Sequence, residues 1–159
     1  VVLAFDFRGH GDSQSRAGRA GGRLAADVVA AVGVARARGA QKVFVLGASM
    51  GGTAALAAAA TIKPPLAGVI SASGPAIYQW IDARKVVPRL TVPVLYVVGE
   101  HDGGGGFAAD AQELFDATAS ADKRLEVLPV SNHGVSLVTR NLTARGLVES
   151  FIARGTTRG

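Results

Sequence analysis

Short runs of apolar β-branched and aromatic residues alternate along the chain with stretches in which apolar residues recur every three or four positions. The runs are typical of buried strands, and the longer stretches are typical of helices with one apolar face. Strands are predicted over residues 1–7, 42–47, 66–71, 92–98 and 125–130. Helices are predicted over residues 24–35, 49–62, 76–87, 107–115 and 138–152.

This alternation predicts an α/β fold in a single domain spanning residues 1–159. Parallel strands joined by right-handed crossovers place helices on both faces of a sheet. We therefore expect a three-layer α/β/α sandwich around a mostly parallel sheet of about five strands. In such sheets the functional side chains lie in loops beyond the carboxyl ends of the strands.

Composition narrows the classes of function. The chain has no cysteine, which excludes disulfides and thiolate metal sites. Its net charge of +5 comes mostly from scattered arginines, whereas nucleic-acid binding usually needs a clustered basic face. Interrupted apolar runs predict no membrane span, and the sequence leaves the oligomeric state open. The chain opens without methionine or a visible signal peptide, so we expect missing upstream sequence and favour the cytoplasm.

The most informative motif is Gly47-Ala48-Ser49-Met50-Gly51, which joins a predicted strand to an alanine-rich predicted helix. A serine on such a turn, with glycine two residues away on each side, is typical of a nucleophile elbow. Side chains at Gly47 and Gly51 are expected to clash where the helix passes the strand. Alone, Ser49 could equally be an ordinary helix N-cap.

Two further polar residues follow predicted strands in the order that this chemistry requires. Asp102 follows the fourth strand and His133 follows the fifth. A histidine activates a serine hydroxyl by accepting its proton, and a carboxylate orients and stabilises that histidine. Each residue alone fits an ordinary loop position, but together they predict a catalytic triad. Glu100 is the second choice for the acid.

The other candidate chemistry is weaker. His10 belongs to the first loop and His101 adjoins the predicted acid, and no histidine pair has metal-ligand spacing with a carboxylate. The glycine-rich stretches do not match a phosphate-binding or dinucleotide-binding pattern. The sequence therefore predicts neither a metal nor a cofactor.

From the strand containing Asp6 to its C-terminus, the chain resembles the α/β-hydrolases. The loop Asp6–Ser13 matches the pattern D-x-R-G-x-G-x-S of that family. Gly47–Gly52 is similar to its elbow, Gly99–Asp102 to its acid loop, and Asn132–Gly134 to its histidine loop. The resemblance implies a serine esterase that acts on a small-molecule ester, with the Met50 N–H as one oxyanion donor.

The chain also differs from the family at its N-terminal end. Three strands normally precede the Asp6 strand, and the loop after the third supplies a second oxyanion donor. We expect this chain to be an N-terminally truncated copy whose strand 1–7 pairs directly with strand 42–47. The alternative function is a non-catalytic or poorly active hydrolase fragment, or an interaction module, that lacks the second donor.

The family often carries a lid domain between the strands predicted here at 66–71 and 92–98. Residues 74–91 leave room for only a short helix, which predicts an open site without a lid domain. Ser73, Tyr78 and Trp80 lie in or beside this segment and are candidates for lining an acyl or leaving-group pocket. Tyr78 and Trp80 fit simple packing equally well.

Overall fold

A computed structural model describes residues 1–14 and 23–157 of the chain. Its strands are β1 (Phe44–Ala48), β2 (Gly68–Ala72), β3 (Ile77–Tyr78), β4 (Ile81–Asp82), β5 (Val94–Gly99) and β6 (Lys123–Leu128). Four of them form a parallel sheet in the order β1-β2-β5-β6, and β3 pairs with β4 in an antiparallel hairpin. Four of the five predicted strands are thereby confirmed.

The two central strands carry the most apolar sequence. Every residue of β2 and β5 is buried, as expected for parallel strands covered on both faces. Their side chains alternate between two clusters: Val69 and Tyr96 belong to one, whereas Ile70 and Leu95 belong to the other. Edge strand β1 is more open, with Leu46 47% exposed.

Helices cover both faces of the sheet, which confirms the predicted three-layer sandwich. They are α1 (Leu24–Ala37), α2 (Met50–Ala59), α3 (Gly106–Ala117), α4 (Gly134–Arg140) and α5 (Leu142–Thr157). Helices α1, α2 and α3 contribute to the cluster around Leu56, and α4 and α5 to the cluster around Phe151. None of the described helices is long and apolar enough to cross a membrane.

The predicted strand over residues 1–7 is wrong, and so is its predicted pairing with the strand before Ser49. These residues form no strand, so the sheet has four strands rather than about five. Val1 and Val2 are fully or almost fully exposed. Residues that favour strands gain little free energy from an extended conformation when no neighbouring strand pairs with their backbone groups and nothing covers their side chains.

Two predicted helices also differ in the structure. The segment 76–87 forms the β3–β4 hairpin and two short 3-10 turns, with Gln79 at a φ of 50° in the hairpin turn. The predicted last helix is divided at Asn141 into α4 and α5. The Asn141 side chain accepts a hydrogen bond from the Ala144 N–H at 2.9 Å. Asparagine therefore caps a new helix here instead of continuing the old one.

Candidate active site

Ser49 lies between the end of β1 and the first residue of α2, in the backbone conformation that an elbow requires. Its φ is 52° and its ψ is −124°, which is rare for a residue with a side chain. The Ser49 N–H donates to Ala72 O at 2.9 Å, and Ser49 O accepts from the Gly52 N–H at 2.8 Å. Backbone bonds on both sides of Ser49 thus support the strained turn.

The glycines around Ser49 have different roles. A Cβ at Gly47 would lie 2.0 Å from Gly51 O, so the expected clash there is confirmed. A Cβ at Gly51 would meet only Phe7, at an ordinary 3.6 Å, so the expectation for Gly51 is wrong. The second tight position is Gly52, where a Cβ would lie 2.6 Å from Ser71 Oγ. The sequence signal for it is its place at the end of the elbow-like stretch Gly47–Gly52.

Asp102 and His133 come together beyond the carboxyl ends of β5 and β6. His133 Nδ1 lies 2.9 Å from Asp102 Oδ1 and 3.0 Å from Oδ2. The Asp102 side chain is only 3% exposed, whereas that of His133 is 39% exposed. An ionised carboxylate only accepts hydrogen bonds, so this contact favours the neutral imidazole tautomer with its proton on Nδ1 and Nε2 as an acceptor.

The strand ends explain why these two loops meet. A Cβ at Gly99, the last residue of β5, would lie 2.6 Å from Val130 O and 3.0 Å from Asn132 O. Glycine therefore lets the acid loop pass directly against the histidine loop. The Phe107 ring packs on the His133 ring with their centroids 4.4 Å apart. This contact covers part of the imidazole.

Ser49 and the histidine loop are neighbours. A Cβ built on Gly134, next to His133, would lie 3.6 Å from Ser49 Cβ. In the described part of the chain, Ser49 Oγ makes no hydrogen bond to His133. The structure thus brings the three predicted residues to one edge of the sheet.

The alternatives raised by the sequence lie elsewhere. The Glu100 side chain is 56% exposed and lies 3.9 Å from His101, so Asp102 is the carboxylate that contacts His133. His10 lies on the exposed first loop, with Nδ1 3.2 Å from Arg8 O. Within residues 1–14 and 23–157, no group of three or more histidine and carboxylate side chains could hold a metal ion.

The loop Asp6–Ser13 is built from its own polar contacts. The Asp12 N–H donates to Asp6 Oδ2 at 3.1 Å, and the Ser13 hydroxyl donates to Asp6 O at 2.8 Å. Arg8 joins the loop to α1 by donating to Asp27, with Nε 2.9 Å from Oδ1. These hydrogen bonds from Arg8 lower the pKa of the Asp27 carboxyl below its ordinary value. The loop is therefore attached to the domain by this ion pair and by Phe7, which packs against the core.

The remaining sequence candidates fall into different environments. Met50 is the first residue of α2, so its N–H has no acceptor four residues back in the helix. Ser73 is buried, at 1% exposure, and its Oγ accepts from the Gly134 N–H at 3.0 Å, so it does not line an open pocket. Tyr78 packs against the core, and Trp80 is 84% exposed beside the hairpin turn.

Comparison with solved structures supports the fold. An esterase from Pyrococcus furiosus has a TM-score of 0.78 at 18% identity, covering 94% of this chain and 68% of that chain. A monoacylglycerol lipase from Paleococcus ferrophilus has a TM-score of 0.72 at 18% identity, covering 94% of this chain and 82% of that chain. A dienelactone hydrolase from Anabaena variabilis has a TM-score of 0.68 at 27% identity, covering 83% and 60%.

Comparison of the sequence identifies the family. No curated protein sequence matches the chain significantly. The family described as serine aminopeptidase, S33, matches residues 1–87, which is more than half of the chain and includes both the Asp6–Ser13 loop and the turn at Ser49. The chain therefore belongs to the serine aminopeptidase S33 family and has an α/β-hydrolase fold.

Proposed function

We propose that this protein is a serine hydrolase that cleaves carboxylic esters of small molecules through an acyl-enzyme intermediate. The observation that carries the proposal is the hydrogen-bonded pair of Asp102 and His133 beside the strained elbow of Ser49. In this proposal Ser49 is the nucleophile, His133 the general base and acid, and Asp102 the residue that orients His133.

The proposed reaction begins when His133 Nε2 accepts the proton of the Ser49 hydroxyl as Oγ attacks the ester carbonyl carbon. The buried Asp102 carboxylate accepts from Nδ1–H and stabilises the imidazolium that forms. Negative charge on the former carbonyl oxygen is stabilised by the Met50 N–H and by the positive end of the α2 dipole. The intermediate collapses, and His133 protonates the departing alkoxide to release the alcohol.

The second half returns the enzyme to its starting state. His133 removes a proton from water as that water attacks the acyl carbon bonded to Ser49 Oγ. Collapse of the second intermediate breaks the Ser49 ester, and His133 returns the proton to Oγ. The acid is released, and no metal or cofactor takes part in either half.

The choice of ester over amide rests on the named structural neighbours, which include an esterase and a monoacylglycerol lipase. The family description favours a second substrate class, peptides with a free amino terminus. Both reactions pass through an acyl-serine, so the geometry of Ser49 and His133 serves either. Comparing kcat/KM for a short-chain nitrophenyl ester and an amino-acid nitroanilide separates them. An anilide value equal to or above the ester value contradicts our choice.

The nucleophile is tested by labelling with a fluorophosphonate probe. We expect stoichiometric labelling of the folded wild-type chain, with the adduct on the peptide that contains Ser49, and no labelling of Ser49→Ala. Ser71→Ala, which removes a buried hydroxyl on the neighbouring strand, is the matched control and should label normally. A folded wild-type chain that does not react would refute the proposal. Labelling without ester turnover would favour the alternative that the chain is a non-catalytic or poorly active hydrolase fragment.

The acid is tested by a pair of carboxylate variants. Asp102→Asn should reduce kcat by roughly 10³–10⁴-fold, because the amide favours the wrong imidazole tautomer. Glu100→Gln should change kcat less than about twofold, since the Glu100 side chain is half exposed and does not contact His133. The two variants remove the same charge two residues apart. A larger effect at Glu100 would reverse the assignment.

A further inference from the structure

Ser73 is a buried serine just beyond the end of β2 that the proposed mechanism does not use. Its φ is 52°, so the backbone there is strained for a residue with a side chain. Its hydroxyl oxygen accepts the Gly134 N–H at 3.0 Å in a buried hydrogen bond across 61 positions of sequence. Strain of this kind persists only where surrounding contacts hold the residue in place.

Ser73 and its neighbour Ala72 bond to Ser49, to the strand that precedes Asp102, and to the residue after His133. Ala72 O accepts the Ser49 N–H at 2.9 Å, which fixes the elbow. The Ser73 N–H donates to Val97 O at 3.0 Å on β5, the strand that leads to Asp102. The Ser73 hydroxyl holds Gly134, the residue next to His133. Ala72 and Ser73 therefore connect the Ser49 turn, strand β5 and the segment that follows His133.

We propose that Ser73 is a positioning residue, whose hydroxyl holds the His133 loop at the distance from Ser49 that proton transfer needs. The proposal rests on the proposed function, since it gives His133 the role of base. Gly134 has a φ of 54° and a Cβ position only 3.6 Å from Ser49 Cβ, so small shifts of this loop change the distance between His133 and Ser49. Ser73 itself does not touch the substrate.

Ser71 provides an unusually close control. It lies two residues earlier on β2 and is also buried. Its Oγ has no hydrogen-bond partner among the described residues. Removing either hydroxyl makes a similar small change in volume in the same strand, but only the change at Ser73 releases the Gly134 N–H.

The experiment compares Ser73→Ala, Ser73→Gly and Ser71→Ala. Alanine at position 73 keeps the backbone strain and removes the acceptor, whereas glycine relieves the strain and also removes the acceptor. We expect both Ser73 variants to react with the fluorophosphonate about tenfold more slowly, or slower still, because misplaced catalytic groups lose rate steeply. Ser71→Ala should react at the wild-type rate. Normal reactivity of Ser73→Gly would show that the hydroxyl is dispensable and overturn the proposal.

A second readout does not depend on reactivity. The proton between His133 Nδ1 and Asp102 should give a low-field ¹H resonance, assigned by its absence in His133→Gln. We expect this resonance to broaden or disappear in Ser73→Ala and to remain in Ser71→Ala. If the wild type fails to label, the proposed function fails, and this resonance still decides the role of Ser73. An unchanged resonance in Ser73→Ala would overturn the proposal that Ser73 positions the His133 loop.

Discussion

The end of β2 and the first seven residues both reach the Ser49 elbow, but they are held in different ways. At the end of β2, Ala72 and Ser73 are buried and hydrogen-bonded to Ser49, to Val97 on β5 and to Gly134. The first residues have a similar apolar character but no neighbouring strand. Val2 is 92% exposed, whereas Val97, next to that corner on β5, is 0% exposed. The same residue type thus forms a strand where a neighbouring strand pairs with it and stays exposed where none does.

Polar contacts take over where strand pairing is absent. The loop Asp6–Ser13 keeps its shape through bonds to Asp6 and through the ion pair of Arg8 with Asp27. Phe7 reaches the helix that follows Ser49, close to Gly51. The comparison therefore predicts that substitutions around β1, β2 and β5 change reactivity or stability strongly, and that substitutions in the first loop change stability only slightly.

Among the substitutions that test this comparison, the largest effect is expected at Gly47. In Gly47→Ala the new Cβ would start 2.0 Å from Gly51 O, so α2 must move by more than about 1 Å. A displacement of that size near the reacting groups costs on the order of a hundredfold in rate. Gly51→Ala is the control, since its Cβ would meet only Phe7 at 3.6 Å. Fluorophosphonate labelling rates compare the two, and equal rates would contradict this account of the elbow.

An intermediate effect is expected at Tyr96, which is buried in β5. Thr118 Oγ1 donates to Leu114 O, so the Tyr96 hydroxyl donates to Thr118 at 2.7 Å. Tyr96→Phe should lower the free energy of unfolding at neutral pH by about 1 kcal/mol, the usual value of such a bond. Urea unfolding measures this loss, with Tyr78→Phe in the hairpin as the control.

The pH dependence of that variant sharpens the test. Burial raises the pKa of Tyr96 to about 12, partly offset by the hydrogen bond with Thr118. Because the pKa of Tyr96 is higher in the folded chain than in the unfolded chain, where it is about 10, its protonated hydroxyl stabilises the fold below pH 10. This stabilisation is lost as the pH rises from about 10 towards 12. Tyr96→Phe should therefore lose less stability than wild type between these pH values. Parallel losses would contradict the assignment.

A smaller effect is expected in the first loop. Hydrogen bonds from Arg8 lower the pKa of Asp27, so the ion pair stabilises the fold above the ordinary carboxyl pKa and fades as pH falls through the lowered value. Asp27→Asn should lower the melting temperature at pH 7 by a few degrees, on the order of 2–4 °C, and by less near pH 3. Asp12→Asn is the control: Asp12 bonds to Asp6 through its backbone N–H, which the substitution keeps. A larger loss at acidic pH would contradict this sign.

Much of this architecture was predictable because it depends on local sequence. The buried strands β2 and β5 are continuous apolar runs, and Ser49, Asp102 and His133 follow strands in a recognisable order. Sequence could not show that residues 1–7 lack a partner, because pairing depends on which other strands are adjacent. The sequence placed Gly52 in the elbow-like stretch and Ser73 beside a pocket, but it could not show the close approach of Gly52 to Ser71 or the hydrogen bond of Ser73 with Gly134, because both depend on distant residues.

The hairpin over residues 77–82 is not predictable from the sequence for a related reason. Ile77 and Tyr78 favour strands, but two-residue strands produce too short an alternation to distinguish from a helical pattern. The division of the last helix at Asn141 was visible in principle, since asparagine is a preferred N-cap residue. Apolar spacing continued across it, and that continuity favoured one helix.

The most direct test of the central claim is the mass of the protein during turnover of a short-chain nitrophenyl ester. Rapid acid quenching should trap a species heavier than the free chain by one acyl group, with the acyl group on the Ser49 peptide. His133→Ala should form this species far more slowly, and Ser49→Ala should not form it. Ester turnover that persists in Ser49→Ala, or an acyl group on another residue, would contradict the assignment of Ser49 as the nucleophile.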